Sequence, residues 1–173
     1  MQRPDPSEYA PFYANYIALV TETDIVATLA AQLDRFLTLF RPVPEAVGNV
    51  RHAPYTWSIK EVVGHLADAE RVFGYRAMRI ARGDATPLPG YDENAFTAAG
   101  EFDRMPLADL VEEFETLRLG NLCLFRHLPD AAWTRLGTAN GSPISVRALA
   151  WILVGHVRHH AAILRKRLEG AAG

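Results

Sequence analysis

Apolar side chains recur every three or four residues along four long stretches of the chain, and no stretch alternates convincingly with period two. Such a pattern commits the chain to amphipathic helices, each with a stripe that must be covered. The first follows Thr23, a suitable N-cap, with Asp24 at the positive end of the helix. It carries Ile25, Leu29, Leu33, Phe36 and Phe40 until Pro42 and Pro44 stop it. The second opens on a capping box, Ser58 with Glu61 three residues later. Its stripe is Ile59, Val62, His65, Ala69, Val72 and Arg76, with Tyr75 and Ile80 nearby, and Gly83 ends it. The third runs from Pro106 through Leu110, Phe114, Leu117, Asn121, Leu124 and Leu128 to a stop at Pro129. The fourth begins near Ser145 and sets Leu149, Ile152, Leu153, His156, His160, Ile163, Leu164 and Leu168 on one broad face.

Helices are therefore expected near 24–41, 58–82, 106–128 and 145–168. A short N-terminal extension, 1–22, holds a brief helix or turn between Phe12 and Val20 that packs on the bundle end. Four such stripes are buried most economically in an all-α four-helix bundle, formed here as one domain over 1–173. The gaps 42–56 and 84–104 are too long for tight hairpins and predict at least one long crossover connection.

Length and composition agree. The 173 residues suffice for one full core, and 49% hydrophobic with 22% charged residues is an ordinary globular balance. A net charge of -2 supplies no basic field for nucleic acid or anionic lipid. No stretch has the length of a membrane span, the N-terminus lacks the apolar core of a signal peptide, and Cys123 is the only cysteine. A cytoplasmic protein with no internal disulfide is expected.

Three of the six histidines stand on the inward faces. His156 and His160 stack about one turn apart on the same side of the fourth helix. That spacing gives two imidazole nitrogens a workable bite on one ion at roughly 2.0–2.1 Å. His65 supplies a third nitrogen if the second and fourth helices are neighbours. Three imidazoles leave coordination positions open, the catalytic pattern, and nickel, zinc, iron and manganese all suit the donors. The plainer alternative makes each a core histidine with an ordinary hydrogen-bond partner.

Position 157 is valine, so the zinc-protease glutamate is missing and protease chemistry is not expected. His159 should face outward or a flank, and His52 and His127 the surface. Asp68, one turn beyond His65, is a candidate base or imidazole-orienting group, or simply pairs with Arg71. Asp92 and Arg118 are candidate anchors for a polar substrate, or else a loop cap and a structural ion pair. Cys123 reads as a small packing residue.

The run Trp57–Glu70, WSIKEVVGHLADAE, resembles the second helix of the DinB/YfiT-like superfamily, and Gly155–His160, GHVRHH, resembles its final metal helix. Tyr75–Asp84, Leu88–Asn94 and Tyr16–Val20 are also similar to it, so the resemblance spans nearly the whole chain. It implies a four-helix bundle, often a homodimer, with a metal-binding triad at His65, His156 and His160 near the bundle mouth. Relatives include transferases that join bacillithiol, mycothiol or glutathione to an electrophile, and a thiol-dependent isomerase. The resemblance thus implies a metal-dependent enzyme of the thiol S-transferase type. Its substrate would be a small electrophile, and its co-substrate a low-molecular-weight thiol. Metal-assisted hydrolysis would use the same ligands. A non-enzymatic metal-binding module, induced by stress or DNA damage, is the third expectation.

Overall fold

The computed structural model describes residues 2–171. In chain order its elements are α1 (Ala14–Ala18), α2 (Ile25–Phe40), α3 (Glu45–Gly48), α4 (Ile59–Ala81), α5 (Glu93–Gly100), α6 (Leu107–Arg126), α7 (Asp130–Trp133), β1 (Leu136–Ala139), β2 (Ser142–Ser145) and α8 (Val146–Ala171). The four long helices α2, α4, α6 and α8 coincide with the four stripes, and their ends are set by the residues that cap them. Asp24, rather than Thr23, caps α2, its carboxylate accepting from the Ala27 N–H at 3.0 Å. On α4 the capping box is complete: Ser58 Oγ accepts from the Glu61 N–H at 3.0 Å, and Glu61 Oε2 accepts from the Ser58 N–H at 2.6 Å. Ser145 Oγ takes the Ala148 N–H at 3.0 Å and starts α8.

Together these helices form a four-helix bundle in which α2 packs on α6 and α8, and α4 packs on the same two. Helices α2 and α4, consecutive in the bundle, therefore lie across it from one another. The connection at 41–58 has to cross the bundle end, as its length requires. This arrangement makes α4 and α8 neighbours.

The structure departs from the expected pattern in the connections, which carry the short helices α3, α5 and α7 and a hairpin. Residues 136–145 form an antiparallel hairpin pairing Leu136 with Ser145 and Ala139 with Ser142. Asn140 and Gly141 turn it with φ of 50° and 73°, the left-handed pair of a two-residue hairpin loop. The expectation of no strand fails because four-residue strands are too short to show a period. The hairpin organises the loop 84–92: the Leu88 N–H donates to Thr138 O at 2.8 Å, and the Asn140 N–H to Leu88 O at 3.0 Å.

Between the helices lies a buried polar network. Arg118 Nη2 donates to Glu70 Oε1 at 2.6 Å, and its Nη1 to Gln32 Oε1 at 2.8 Å. Asn121 Nδ2 donates to Glu70 Oε2 at 2.8 Å, and Gln32 Nε2 to Val154 O at 2.9 Å. All four bundle helices are thereby tied at one level. Arg118 is fully buried, so the expectation that it anchors a substrate is corrected: its charge is committed to Glu70. The inward face of α6 is turned by one residue relative to the predicted stripe. Arg118, Leu122 and Phe125 are buried, whereas Leu117 and Leu124 are only half-buried. Packing on two helices at once requires this broader face.

Candidate metal centre

Helices α4 and α8 bring His65, His156 and His160 to one point. His65 Nε2 lies 3.0 Å from His156 Nε2, and His160 Nε2 lies 3.2 Å from the same atom. One candidate ligand nitrogen from each ring lies within 4.8 Å of the others. Nitrogens held tetrahedrally at 2.0–2.1 Å from one ion stand roughly 3.3 Å apart, so these rings need only small adjustments to share one. Among the described residues no carboxylate or thiolate joins the three. The donor set is purely imidazole and can hold a divalent metal ion.

Burial keeps these rings neutral rather than cationic. Desolvation pulls His65 down to about 4, against a small opposing pull from the Glu93 charge. It pulls His160 down to about 3, helped by His65 and His159. His156 is held well below the ordinary histidine range, first by burial and then by His160 and His65. All three are neutral at pH 7, with ring-nitrogen lone pairs available for an ion.

Aromatic rings brace the cluster. Trp57 stands 4.9 Å from His65 between ring centroids, and Tyr16 stands edge-on to His156 at 5.3 Å. Phe73 also meets His156 edge-on, at 6.3 Å. Trp57 belongs to the crossover loop, where Arg167 Nη2 donates to Trp57 O at 3.0 Å and Val50 O at 2.9 Å. His52, expected at the surface, is half-buried there and accepts from Arg167 Nε at 3.3 Å.

The imidazoles open onto a cavity of about 210 Å³. The extension contributes Phe12, Tyr13 and Tyr16 to its wall, α4 adds Phe73 and Arg76, and the loop 84–92 with the hairpin tip adds Gly90, Tyr91 and Asn140. Glu93 lies at its exposed rim. The extension, expected at the bundle end, is thus a wall of the site, and α1 packs along α8. At Gly155 a Cβ would fall 2.0 Å from Tyr16 O, so only glycine admits this approach.

The remaining candidate residues have other surroundings. Asp68 lies 3.7 Å from Arg71 and makes no hydrogen bond or ion pair with a histidine; burial raises its pKa. Asp92 does not line the cavity; it caps α5, accepting from the Asn94 N–H at 2.9 Å and the Ala95 N–H at 3.1 Å. Arg118 does not line the cavity either. His159 and His127 are exposed, and Cys123 is exposed on α6 rather than packed. The aromatic wall from the extension and the cavity role of Arg76 lay outside the expectations. Tyr13 and Tyr16 precede the first bundle helix and carry no periodic signal.

A helical bundle whose neighbouring helices converge three imidazoles on one point belongs to the class of scaffolds able to hold a divalent ion. The chain belongs to the DinB superfamily, whose family model matches residues 28–164. Its fold is similar to that of YfiT from Bacillus subtilis, a probable metal-dependent hydrolase with an unusual four-helix bundle topology. The TM-score is 0.71 at 17% identity, over 99% of this chain and 94% of that one. It is also similar to the mycothiol-dependent maleylpyruvate isomerase, with a TM-score of 0.70 at 15% identity, over 84% of this chain; it spans 61% of the isomerase chain. No curated protein matches the chain in sequence. No helix among the described residues is long and apolar enough to cross a membrane.

Proposed function

We propose that the chain is a metal-dependent enzyme that activates a low-molecular-weight thiol for transfer to a small electrophile. The observation that carries this reading is the convergence of three neutral imidazoles on an aromatic-walled cavity of about 210 Å³. A divalent ion held there supplies Lewis acidity and lowers the pKa of a thiol that reaches it. The protein contributes no negative ligand from the described residues, so an anionic sulfur is the natural partner for the remaining charge. The aromatic side chains Tyr16, Trp57 and Phe73 brace the rings and line the cavity beside them. The cavity is too small to enclose a large conjugated thiol. It fits the reacting end of the thiol and a compact acceptor, with the rest of the thiol outside.

One observation favours metal-assisted hydrolysis instead. Glu93 lines the cavity, where a carboxylate can take a proton from water.

Elemental analysis of untagged protein, purified without added metal, should give close to one divalent ion per chain. His65→Ala and His156→Ala should lose it, while His52→Ala should keep it. Equal loss in all three variants would sink the assignment. Metal-loaded protein should conjugate monochlorobimane to at least one of bacillithiol, mycothiol, glutathione or cysteine. Ester or amide turnover with every thiol inert would transfer the case to hydrolysis. No turnover with the ion bound would leave a metal-binding module.

A further inference from the structure

We infer that Arg76 is a recognition site for a carboxylate on the ligand of the histidine cavity. The ligand is accordingly a small acid with an apolar spacer between its carboxylate and its reacting atom. This deepens the function proposed above and rests on it for the identity of the reacting end.

Arg76 is 3% exposed and lines the cavity. A guanidinium cannot shed its proton when buried, so its charge has to be met by an anion or by several acceptors. The other deeply buried arginines meet theirs inside the protein. Arg118 is ion-paired with Glu70 at 2.6 Å. Arg167 donates to two carbonyls and to His52 Nδ1. Arg76 forms no ion pair among the described residues. Its protein acceptors are Pro89 O at 2.7 Å and the Tyr13 phenol oxygen. Neither acceptor carries a charge, and the guanidinium stands in the cavity wall with the planar fork that matches a carboxylate. Glu93 lines the same cavity but does not pair with Arg76; it sits exposed in the first turn of α5.

Phe73 defines the spacer. Its ring centroid lies 5.7 Å from Arg76 Cζ and 6.3 Å from the His156 ring. A ligand joining charge to imidazole cluster therefore passes an aromatic face. His65 and Arg76 are three turns apart on α4, about 16 Å along its axis, and long helical side chains lean back toward the N-terminus. Both line the same cavity, so one ligand can meet them from opposite ends.

The test is calorimetric titration of metal-loaded protein with a chain-length series of ω-mercaptocarboxylates. Each acid is compared with its neutral primary amide and its S-methyl thioether. The best acid should bind at least tenfold tighter than its amide. Arg76→Gln should abolish the difference between acid and amide while leaving metal content unchanged. Arg76→Lys, which keeps a charge, should retain part of the preference and guards against a folding defect in the glutamine variant. Equal binding of acid and amide across the series overturns the proposal, as does a preference that survives in Arg76→Gln, or no binding at all. The thioethers separate the two readings. Acid preference without any gain from a free thiol removes the thiol chemistry and leaves Arg76 standing. A thiol gain without acid preference removes Arg76 alone.

Discussion

Glu70 shows how much one side chain decides in this fold. Its carboxylate is 1% exposed and is, among the described residues, the only anion bonded to the fully buried Arg118 guanidinium, while Asn121 donates to its other oxygen. Removing a charge from such a pair leaves its partner buried and unpaired, which costs about 3–5 kcal/mol. Glu70→Ala should lose stability in that range by denaturant unfolding, and Glu70→Ala with Arg118→Met should recover much of it. A loss below 1 kcal/mol in the single variant would mean that the network does not tie the helices. A structural ion pair was one of the two readings of Arg118, but its partner Glu70 was not legible in the sequence, because a charged residue on a helix reads as solvent-facing. The histidines were legible for the opposite reason. His156 and His160 share a face by spacing alone, and His65 falls within an otherwise apolar stripe. The sequence could not supply the adjacency of α4 and α8, on which their meeting depends.

At the scale of elements, the site is assembled by segments that carry weak local signals. The Asn140–Gly141 pair marks a hairpin turn, but strands of four residues on either side show no alternation long enough to trust. The crossing of α1 over α8 leaves a single sequence trace, Gly155 beside His156. A Cβ at that glycine would meet backbone, so no rotamer change can relieve it. Gly155→Ala should push α1 off α8 and carry Tyr16 away from the His156 ring. The expected cost is about 1–3 kcal/mol of stability, the range for overpacking a tight site. Near-UV circular dichroism should change while metal content is retained, since all three imidazoles lie on α4 and α8. Unchanged stability and an unchanged aromatic signal would show that α1 does not need this approach.

The whole molecule is closed around the cavity by charges that join the N-terminal segment to α8. Glu8 accepts from Arg147 Nε at 2.7 Å and from Ser145 Oγ at 2.6 Å, at the start of α8. The Arg147 guanidinium is the main cause that lowers the Glu8 carboxyl to about 2 from an ordinary 4.5. Farther along, Glu22 accepts from Arg158 at 2.6 Å and is also lowered to about 2, chiefly by that arginine. The sign of the pH dependence follows. A carboxylate whose folded pKa is depressed binds fewer protons folded than unfolded, so its stabilisation is complete above the unfolded value near 4.5. It is lost as pH falls from there through about 2. Glu22 is largely exposed, where solvent screening weakens the pair, so Glu8 should dominate. Because Phe12, Tyr13 and Tyr16 wall the cavity, releasing this segment should open the site before the bundle itself unfolds. Limited proteolysis should cut the extension increasingly as pH drops from 4.5 toward 2, with the helical signal of the bundle retained at first. Glu8→Gln cannot form the ion pair at any pH and should be cut at pH 7 as readily as the wild-type protein is in acid. Protection of that variant equal to wild type at pH 7 would mean that apolar packing of Tyr13 and Ile17, not the Glu8 clasp, holds the wall in place.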